Sequence, residues 1–234
     1  MATSTGSRKA GPSLAKNLTN GVVVIGLGRF GQSLALELVA HGEDVLGIDA
    51  DPRVVASLAG RLTHVVEADS TNEEAMRQLS VGEFSRAVIG MGNDLEASIL
   101  SATVAMELGV EHVWAKAISG SHARILERIG VRHVVRPEHD MGKRVAHLVR
   151  GEEILDYVEF DDDYAFARAP APRALHDRSL GGRGVRQEFG ITVVSVKHLG
   201  RTFEYATPET VIRPGDEVIV SGPAAKVEAF SNLR

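Results

Sequence analysis

The chain has 234 residues, 44% of them hydrophobic and 24% charged, which is typical of a globular protein with one large domain or two modest ones. A formal net charge of −5 argues against general nucleic-acid binding, and no apolar run approaches the ~20 residues of a membrane span. We therefore expect no nucleic-acid partner and no direct membrane insertion. The absence of cysteine excludes disulfides and fits a cytoplasmic location.

Residues 1–20 lack the long apolar segment of a signal peptide, so a flexible tail is expected there. The apolar run Val22–Ile25 that follows predicts a strand buried on both faces. It leads into a G-x-G-x-x-G motif and then an amphipathic segment in which apolar residues share one helical face. The three glycines are Gly26, Gly28 and Gly31.

The position of this motif between a strand and a helix indicates a nucleotide site. The first glycine permits a tight turn, the second lets the backbone approach a pyrophosphate, and the third allows close packing of the helix on its strand. A second apolar strand, Val45–Ile48, ends in Asp49, whose carboxylate can accept both hydroxyls of a ribose. This acid disfavours a 2′-phosphate and therefore NADP, whereas NAD, ADP and ATP remain open.

The pattern continues through residue 135 with strands alternating with helices. Six predicted strands are Val22–Ile25, Val45–Ile48, Thr63–Glu67, Ala87–Ile89, His112–Ala117 and His133–Val135. This alternation predicts an α/β fold, a Rossmann-like doubly wound parallel sheet in the order 3-2-1-4-5-6. Ligands of such sheets bind beyond the carboxyl ends of the strands, so Asp69, Asn93 and Lys116 are candidates to line the same crevice.

The pattern changes beyond a predicted helix, Pro137–Arg150, that carries apolar residues on one side. A smaller C-terminal α+β domain is expected, with a loop at Ala169–Pro172 and a helix at Ser179–Glu188 weakened by glycines. A hairpin from Ile191 to Tyr205 follows, then a strand and a closing helix. A domain of this size buries a modest core, which favours dimerisation.

Sequence motifs for catalysis are absent. The chain contains no H-E-x-x-H, G-x-S-x-G or G-x-x-x-x-G-K-[ST] segment, and its histidines are not spaced for joint metal ligation. Binding without turnover therefore fits better than an enzyme.

Several segments taken together resemble one family. They are G-L-G-R-F-G at 26–31, the acid at 49, N-D-L-E-A-S at 93–98, V-W-A-K-A at 113–117 and R-P-E-H-D-M-G at 136–142. The combination closely resembles the KtrA proteins, cytosolic regulatory subunits of Ktr/Trk-type potassium uptake systems, over about residues 21–232. The resemblance implies an RCK-N (TrkA-N) domain at 21–138, a crossover helix and linker at 139–154, and an RCK-C (TrkA-C) domain at 155–234.

The resemblance also implies ligands and partners. ATP and ADP would compete for the first domain, with ATP favouring the active state. Homodimers would assemble into an octameric ring beneath a membrane-embedded Ktr/Trk potassium translocation subunit. The protein would then be cytoplasmic and peripheral at the inner face of the plasma membrane.

Further residues take roles from the same resemblance. Arg29 and Phe30 belong to the nucleotide-binding turn. Arg29 would contact the third phosphate and transmit its presence to a neighbouring subunit, and the charge of Lys116 would balance phosphate charge. Glu138, in P-E-H-D-M-G, would meet its dimer mate around Mg²⁺, Ca²⁺ or Na⁺. Arg186, in V-R-Q-E-F-G, matches the arginine that relatives use for cyclic di-AMP, although the glycines at 181–184 depart from the family pattern.

Two alternatives remain open. One is an NAD(H)-dependent oxidoreductase, although the C-terminal unit is small for a substrate domain. The other is an NAD(H)-sensing regulator of transcription, which the acidic charge balance and the lack of a DNA-binding module disfavour.

Overall fold

A computed structural model describes residues 20–150, 153–160, 163–177 and 179–233, without the side chains of residues 182 and 183. The chain divides into two compact units, the first ending at Pro137 and the second beginning at Glu138. The predicted tail, 1–20, lies outside the described residues apart from Asn20. Across those ranges, the helices are all too short or too polar to cross a membrane.

The first unit contains a six-stranded parallel sheet. Its strands are β1 (Val22–Ile25), β2 (Val45–Asp49), β3 (His64–Glu67), β4 (Arg86–Ile89), β5 (His112–Lys116) and β6 (His133–Val135). They lie in the order β3-β2-β1-β4-β5-β6, and each neighbouring pair is parallel. The predicted doubly wound sheet is therefore confirmed, with its switch point between β1 and β4.

Helices connect these strands. They are α1 (Arg29–Ala40), α2 (Pro52–Leu58), α3 (Glu73–Gln78), α4 (Leu95–Glu107) and α5 (Gly120–Ile129), with a 3₁₀ turn at Val81–Glu83. Alternate residues of β1 enter two different cores: Val22 and Val24 pack with α1 and α2, whereas Val23 and Ile25 pack with α3, α4 and α5. Burial on both faces explains why β1 is a continuous apolar run.

The second unit is a five-stranded antiparallel sheet with helices. Its strands are β7 (Asp156–Phe160), β8 (Tyr164–Pro170), β9 (Thr192–Lys197), β10 (Phe203–Tyr205) and β11 (Glu217–Pro223), in the order β10-β9-β11-β8-β7. Helix α6 (Pro137–Arg150) leads into this unit. Helices α7 (Leu180–Arg183), α8 (Val185–Phe189) and α9 (Ala224–Ser231) complete it, with a 3₁₀ turn at Arg173–Leu175. The predicted smaller α+β domain is confirmed.

Two local expectations in this unit are wrong. The predicted loop at Ala169–Pro172 begins as strand, because β8 runs to Pro170, which lies opposite Glu217 of β11. Pairing with β7 ends at Arg168, so proline occupies a position where β8 has a partner on one side only. The predicted helix at 179–188 is two short helices, because Gly184 between them has a φ of +59°.

Candidate nucleotide-binding site

Two glycines of the motif lie so close to neighbouring backbone that a side chain would not fit at either position. Gly26 has a φ of +83°, and a Cβ there would lie 2.8 Å from the backbone nitrogen of Met91. A Cβ on Gly31 would lie 1.9 Å from the carbonyl oxygen of Gly26. The first turn of α1 is therefore pressed directly against the end of β1, as the motif requires.

The carboxylate of Asp49, at the end of the neighbouring strand β2, accepts a backbone hydrogen bond from this turn. Its Oδ2 accepts a hydrogen bond of 2.6 Å from the backbone N–H of Leu27, which lies between the first two glycines of the motif. Its Oδ1 accepts a second bond, of 2.8 Å, from the N–H of Asp51. Asp49 is only half-buried. Since each carboxylate oxygen has two acceptor sites, both can still receive a ribose hydroxyl.

The N-terminus of α1 differs from the other helix starts of the first unit. Four of those helices begin with a side chain that accepts a backbone N–H of the first turn; the capping residues are Asp51, Asn72, Asp94 and Ser119. Gly28, the residue that precedes α1, is exposed and supplies no side-chain cap. Nothing lies within 4 Å of where its Cβ would be. The uncapped N–H groups and the positive helix end suit an anionic phosphate.

Two cations and one aromatic ring belong to this edge of the sheet. Arg29 is exposed at the first position of α1, and Phe30 follows it, half-buried. The ammonium of Lys116, at the end of β5, lies 5.7 Å from the centroid of the Phe30 ring. Both residues are candidates for the nucleotide site from the sequence, and they lie side by side in the structure.

Asp69 and Asn93 lie in the loops after β3 and β4 and are exposed. Oδ1 of Asp69 accepts hydrogen bonds from the Thr71 hydroxyl, at 2.7 Å, and from the Thr71 N–H, at 2.9 Å. These two bonds lower the pKa of Asp69, the hydroxyl contributing most. The carboxylate is thus ionised and held in place at the carboxyl edge of the sheet, the edge where doubly wound sheets bind their ligands.

Two further glycines, which were not among the predicted site residues, shape the crevice. A Cβ on Gly90 would lie 2.8 Å from the carbonyl oxygen of Gly26, and one on Gly92 would lie 2.5 Å from a methyl carbon of Ile118. The loop after β4 therefore has no room for side chains at either position. The signal was present as G-M-G directly after a predicted strand.

The remaining predicted site residues belong to the second unit. Glu138 is exposed in the first turn of α6. Arg186 is exposed on α8, where its guanidinium donates two hydrogen bonds to the Thr192 hydroxyl, at 3.0 and 3.2 Å. It lines an open cavity of about 360 Å³ together with residues of α7, β9 and the loop after β10. Within the described ranges, histidine, aspartate and glutamate side chains form no group of three or more that could hold a metal ion.

Comparison with known proteins identifies the family. Residues 22–137 match the TrkA-N domain and residues 165–234 match the TrkA-C domain. Ktr system potassium uptake protein A of Bacillus subtilis is 33% identical over 209 residues, which make up 89% of this chain and 94% of that protein. This chain belongs to the Ktr potassium uptake family. The Ktr system potassium uptake protein A of Vibrio alginolyticus is 32% identical over 87% of this chain and 93% of its own length.

Solved structures agree with the Ktr family assignment at the level of the fold. The RCK domain of GsuK superposes with a TM-score of 0.64 at 16% identity, covering 92% of this chain and 47% of that one. A GsuK channel described as bound to NAD has a TM-score of 0.61 at 15% identity and the same 92% coverage of this chain. The resemblance to RCK proteins that the sequence indicated is confirmed.

Proposed function

We propose that this Ktr family member is a nucleotide-gated regulatory subunit of a potassium uptake system and binds ATP and ADP in the crevice at the start of α1. The observation that carries the proposal is the uncapped N-terminus of α1 at Gly28, beside the carboxylate of Asp49. The first suits a phosphate group and the second suits a ribose, at the switch point of the sheet where such ligands bind.

The gating mechanism requires a ligand to bind one state of the assembly better than the other. ATP carries one more phosphate than ADP, so the two ligands differ most in the negative charge that they place near Arg29 and Lys116. Arg29 is exposed and can reach toward a neighbouring subunit. A contact between Arg29 and the third phosphate would give ATP the differential affinity that gating needs.

The assembly that we propose is a homodimer that forms an octameric ring below a membrane-embedded Ktr/Trk translocation subunit. Helix α6 supports the first step: Met141, Val145 and Val149 recur every four residues along it, and all three are exposed. The ring would be cytoplasmic and held at the inner membrane face by its partner. Light scattering that found only a monomer of 25.0 kDa, with and without nucleotide, would contradict this assembly.

A cation at the dimer interface completes the first site. We place Mg²⁺, Ca²⁺ or Na⁺ between the Glu138 carboxylates of two subunits, near the terminal phosphates of bound ATP. Two like charges in such proximity repel unless a cation lies between them, and oxygen ligands select a hard one. Glu138 is exposed in the first turn of α6.

Cyclic di-AMP is a second candidate ligand, and the cavity beside Arg186 favours it. The cavity combines the guanidinium with apolar side chains that include Val185, Ile191 and Pro208. A guanidinium can pair with a phosphate, and apolar surface can pack against an adenine. Gly181 and Gly184 also line this cavity.

The rival ligand is NAD(H), either as the coenzyme of an oxidoreductase or as the signal of a sensor. A neighbour of the same fold is described as bound to NAD, so the fold is compatible with it. We favour regulation without catalysis, because the relatives are potassium uptake proteins.

Calorimetric titration of the purified chain with ATP, ADP and NADH tests the proposal. We expect saturable binding of ATP and ADP, with no phosphate release over hours of incubation. Tight binding of NADH, without binding of ATP or ADP, would contradict the ATP/ADP assignment. Oxidation of NADH with a candidate substrate would establish the oxidoreductase instead.

A further inference from the structure

A chain of hydrogen bonds connects the glycine turn, residues 26–31, to an arginine on the surface. The N–H of Leu27 donates to Oδ2 of Asp49, and the N–H of Asp51 donates to Oδ1 of the same carboxylate. The carboxylate of Asp51 accepts in turn from the guanidinium of Arg53, with Nε 3.1 Å from Oδ1 and Nη2 2.8 Å from Oδ2. Arg53 is therefore joined, through Asp51, to the acid that we propose binds the ribose.

Asp51 holds this guanidinium in a defined plane. Two guanidinium nitrogens meet the two oxygens of one carboxylate, which is the bidentate arrangement that arginine favours. Oδ1 of Asp51 also accepts the backbone N–H of Arg53, at 2.9 Å, so the same carboxylate caps α2. The hydrogen bonds from Arg53 lower the pKa of Asp51 to about 2, so the pair is ionised at neutral pH.

The flat faces of the Arg53 guanidinium are uncovered. The side chain is 90% exposed, and its bonds to Asp51 lie along the edge of the guanidinium plane. A guanidinium fixed at its edge offers its face to an aromatic ring that can stack on it. Because Asp51 already restrains the side chain, less entropy is lost when a ring does so.

The place of Arg53 corresponds to the base of a nucleotide. A nucleotide with its phosphates at Gly28 and its ribose hydroxyls at Asp49 carries its base at the end of the ribose away from the phosphates. The contacts run in the same direction, from the glycine turn through Asp49 and Asp51 to Arg53 in the first turn of α2. The guanidinium therefore belongs to the side of the site where the base would lie.

An arginine near the ribose acid could instead accept a 2′-phosphate. The charge of Arg53 is balanced by Asp51, however, and Asp49 adds another carboxylate beside the pair. A 2′-phosphate would thus meet no net positive charge here, whereas a neutral planar base meets no such repulsion. The charges favour a base over a phosphate as the group that Arg53 contacts.

We propose that Arg53 stacks on the adenine of the bound nucleotide and that Asp51 is the positioning residue that orients it. This inference rests on the proposed nucleotide site and adds how that site recognises the base. Because the contact is made with the base, its contribution to affinity should be the same for AMP, ADP and ATP.

Calorimetry of the full chain with AMP, ADP and ATP tests the inference on three variants. Arg53→Lys keeps the charge and can still pair with Asp51, but it has no flat face. Arg53→Tyr keeps a flat face and has no charge. Arg77→Lys is the matched control, because Arg77 is also exposed and pairs with a carboxylate, that of Glu73, in the last turn of α3.

We expect Arg53→Lys to weaken AMP, ADP and ATP by the same factor, about two- to five-fold, which corresponds to the loss of an exposed cation–π contact. Arg53→Tyr should retain most of the affinity, since a base also stacks on an aromatic ring. Arg77→Lys should bind as the natural chain does. Exposed ion pairs contribute little to stability, so all three variants should fold.

The results that overturn this inference differ from those that overturn the nucleotide site. Unchanged affinities in Arg53→Lys would show that the pair only caps α2, and a loss that grows from AMP to ATP would show a contact with phosphate. Equal losses in Arg53→Lys and Arg53→Tyr would show that the flat face is not what binds. If the natural chain bound none of the three nucleotides, the proposed function would fail together with this inference.

Discussion

The backbone N–H of Leu27 donates a 2.6 Å hydrogen bond to Oδ2 of Asp49, so the acid expected to bind a ribose also holds the glycine turn. The two residues are 22 positions apart in the chain and lie on the adjacent elements β1–α1 and β2. The shape of the glycine turn is thereby coupled to the acid that we propose binds the ribose. A ligand that hydrogen-bonds to the Asp49 carboxylate therefore binds the same group that holds the turn in place.

Replacement of Asp49 by alanine should therefore have two effects. Loss of the acceptor leaves the N–H groups of Leu27 and Asp51 without their carboxylate, which should lower the free energy of unfolding by about 1–3 kcal/mol. The same change should weaken every ribose-bearing ligand by a similar amount. Urea denaturation and calorimetry measure the two effects. Glu67→Ala, opposite Asp49 on the exposed edge of β3, is the matched control and should leave both quantities nearly unchanged.

Alanine at two glycines of the motif should change different quantities: the stability of the fold at Gly31 and the affinity for nucleotide at Gly28. A Cβ on Gly31 would lie 1.9 Å from the backbone oxygen of Gly26, so Gly31→Ala should lower the free energy of unfolding by about 1–3 kcal/mol or more. Gly28 has a φ of −65° and open space around its Cβ position. Gly28→Ala should therefore fold normally and lose nucleotide affinity, because the new methyl group occupies phosphate space. A Gly28→Ala variant that bound ATP as well as the natural chain would place the phosphates elsewhere.

Much of the first unit was predictable because its signals are local. A buried parallel strand such as Val22–Ile25 is a continuous apolar run, and the acid at 49 ends the next run, so both positions follow from the sequence. The antiparallel unit was harder. Pro170 looked like a loop residue, and only its place beyond the end of β7 pairing explains why it can lie in a strand.

The contacts inside the crevice were out of reach of pattern analysis. The bond from Leu27 to Asp49 and the 5.7 Å approach of the Lys116 ammonium to the Phe30 ring join residues far apart in the chain, and no periodicity encodes them. Side-chain rotamers and the path of the loop after β4 decide these contacts. The glycines that permit that path carry a signal, but its meaning depends on the three-dimensional neighbours.

Stability should fall in mild acid because of His122. The ring is buried in the first turn of α5, and burial lowers its pKa. The folded state then binds fewer protons than the unfolded chain, so the free energy of unfolding falls as the pH drops below the unfolded pKa of about 6.5. Urea midpoints at pH 8 and pH 5.5 measure this slope. His122→Gln removes this proton uptake and should therefore reduce the slope. Because all other histidines remain, the difference between the two proteins belongs to His122, and an unchanged slope would assign the pH effect to another group.

The cavity beside Arg186 predicts a ligand response that is separate from the first site. Arg186→Ala removes the guanidinium, which should abolish saturable binding of cyclic di-AMP to the full chain while ATP binding stays unchanged. Arg201, exposed in the β9–β10 turn, is outside the cavity lining, so Arg201→Ala is the control. Calorimetry of the three proteins measures the difference. No binding by the natural chain, or equal binding by all three, would reject this candidate.

The proposed cation predicts a dependence that ATP shows and ADP does not. Glu138 lies in the first turn of α6, where the helix dipole alone would favour an acid by a fraction of a kcal/mol. If two such carboxylates meet near the third phosphates of bound ATP, a divalent ion should tighten ATP binding and, by reciprocity, ATP should tighten ion binding.

Glu138→Gln removes the charge and keeps the side-chain size, so it should remove the cation effect on ATP and leave ADP affinity nearly unchanged. Titrations of ATP and ADP with and without Mg²⁺ or Ca²⁺ measure both effects. Asp140→Asn, two positions further along the same helix, is the control. Equal cation effects in the natural chain and in Glu138→Gln would show that Glu138 is only a helix-start acid.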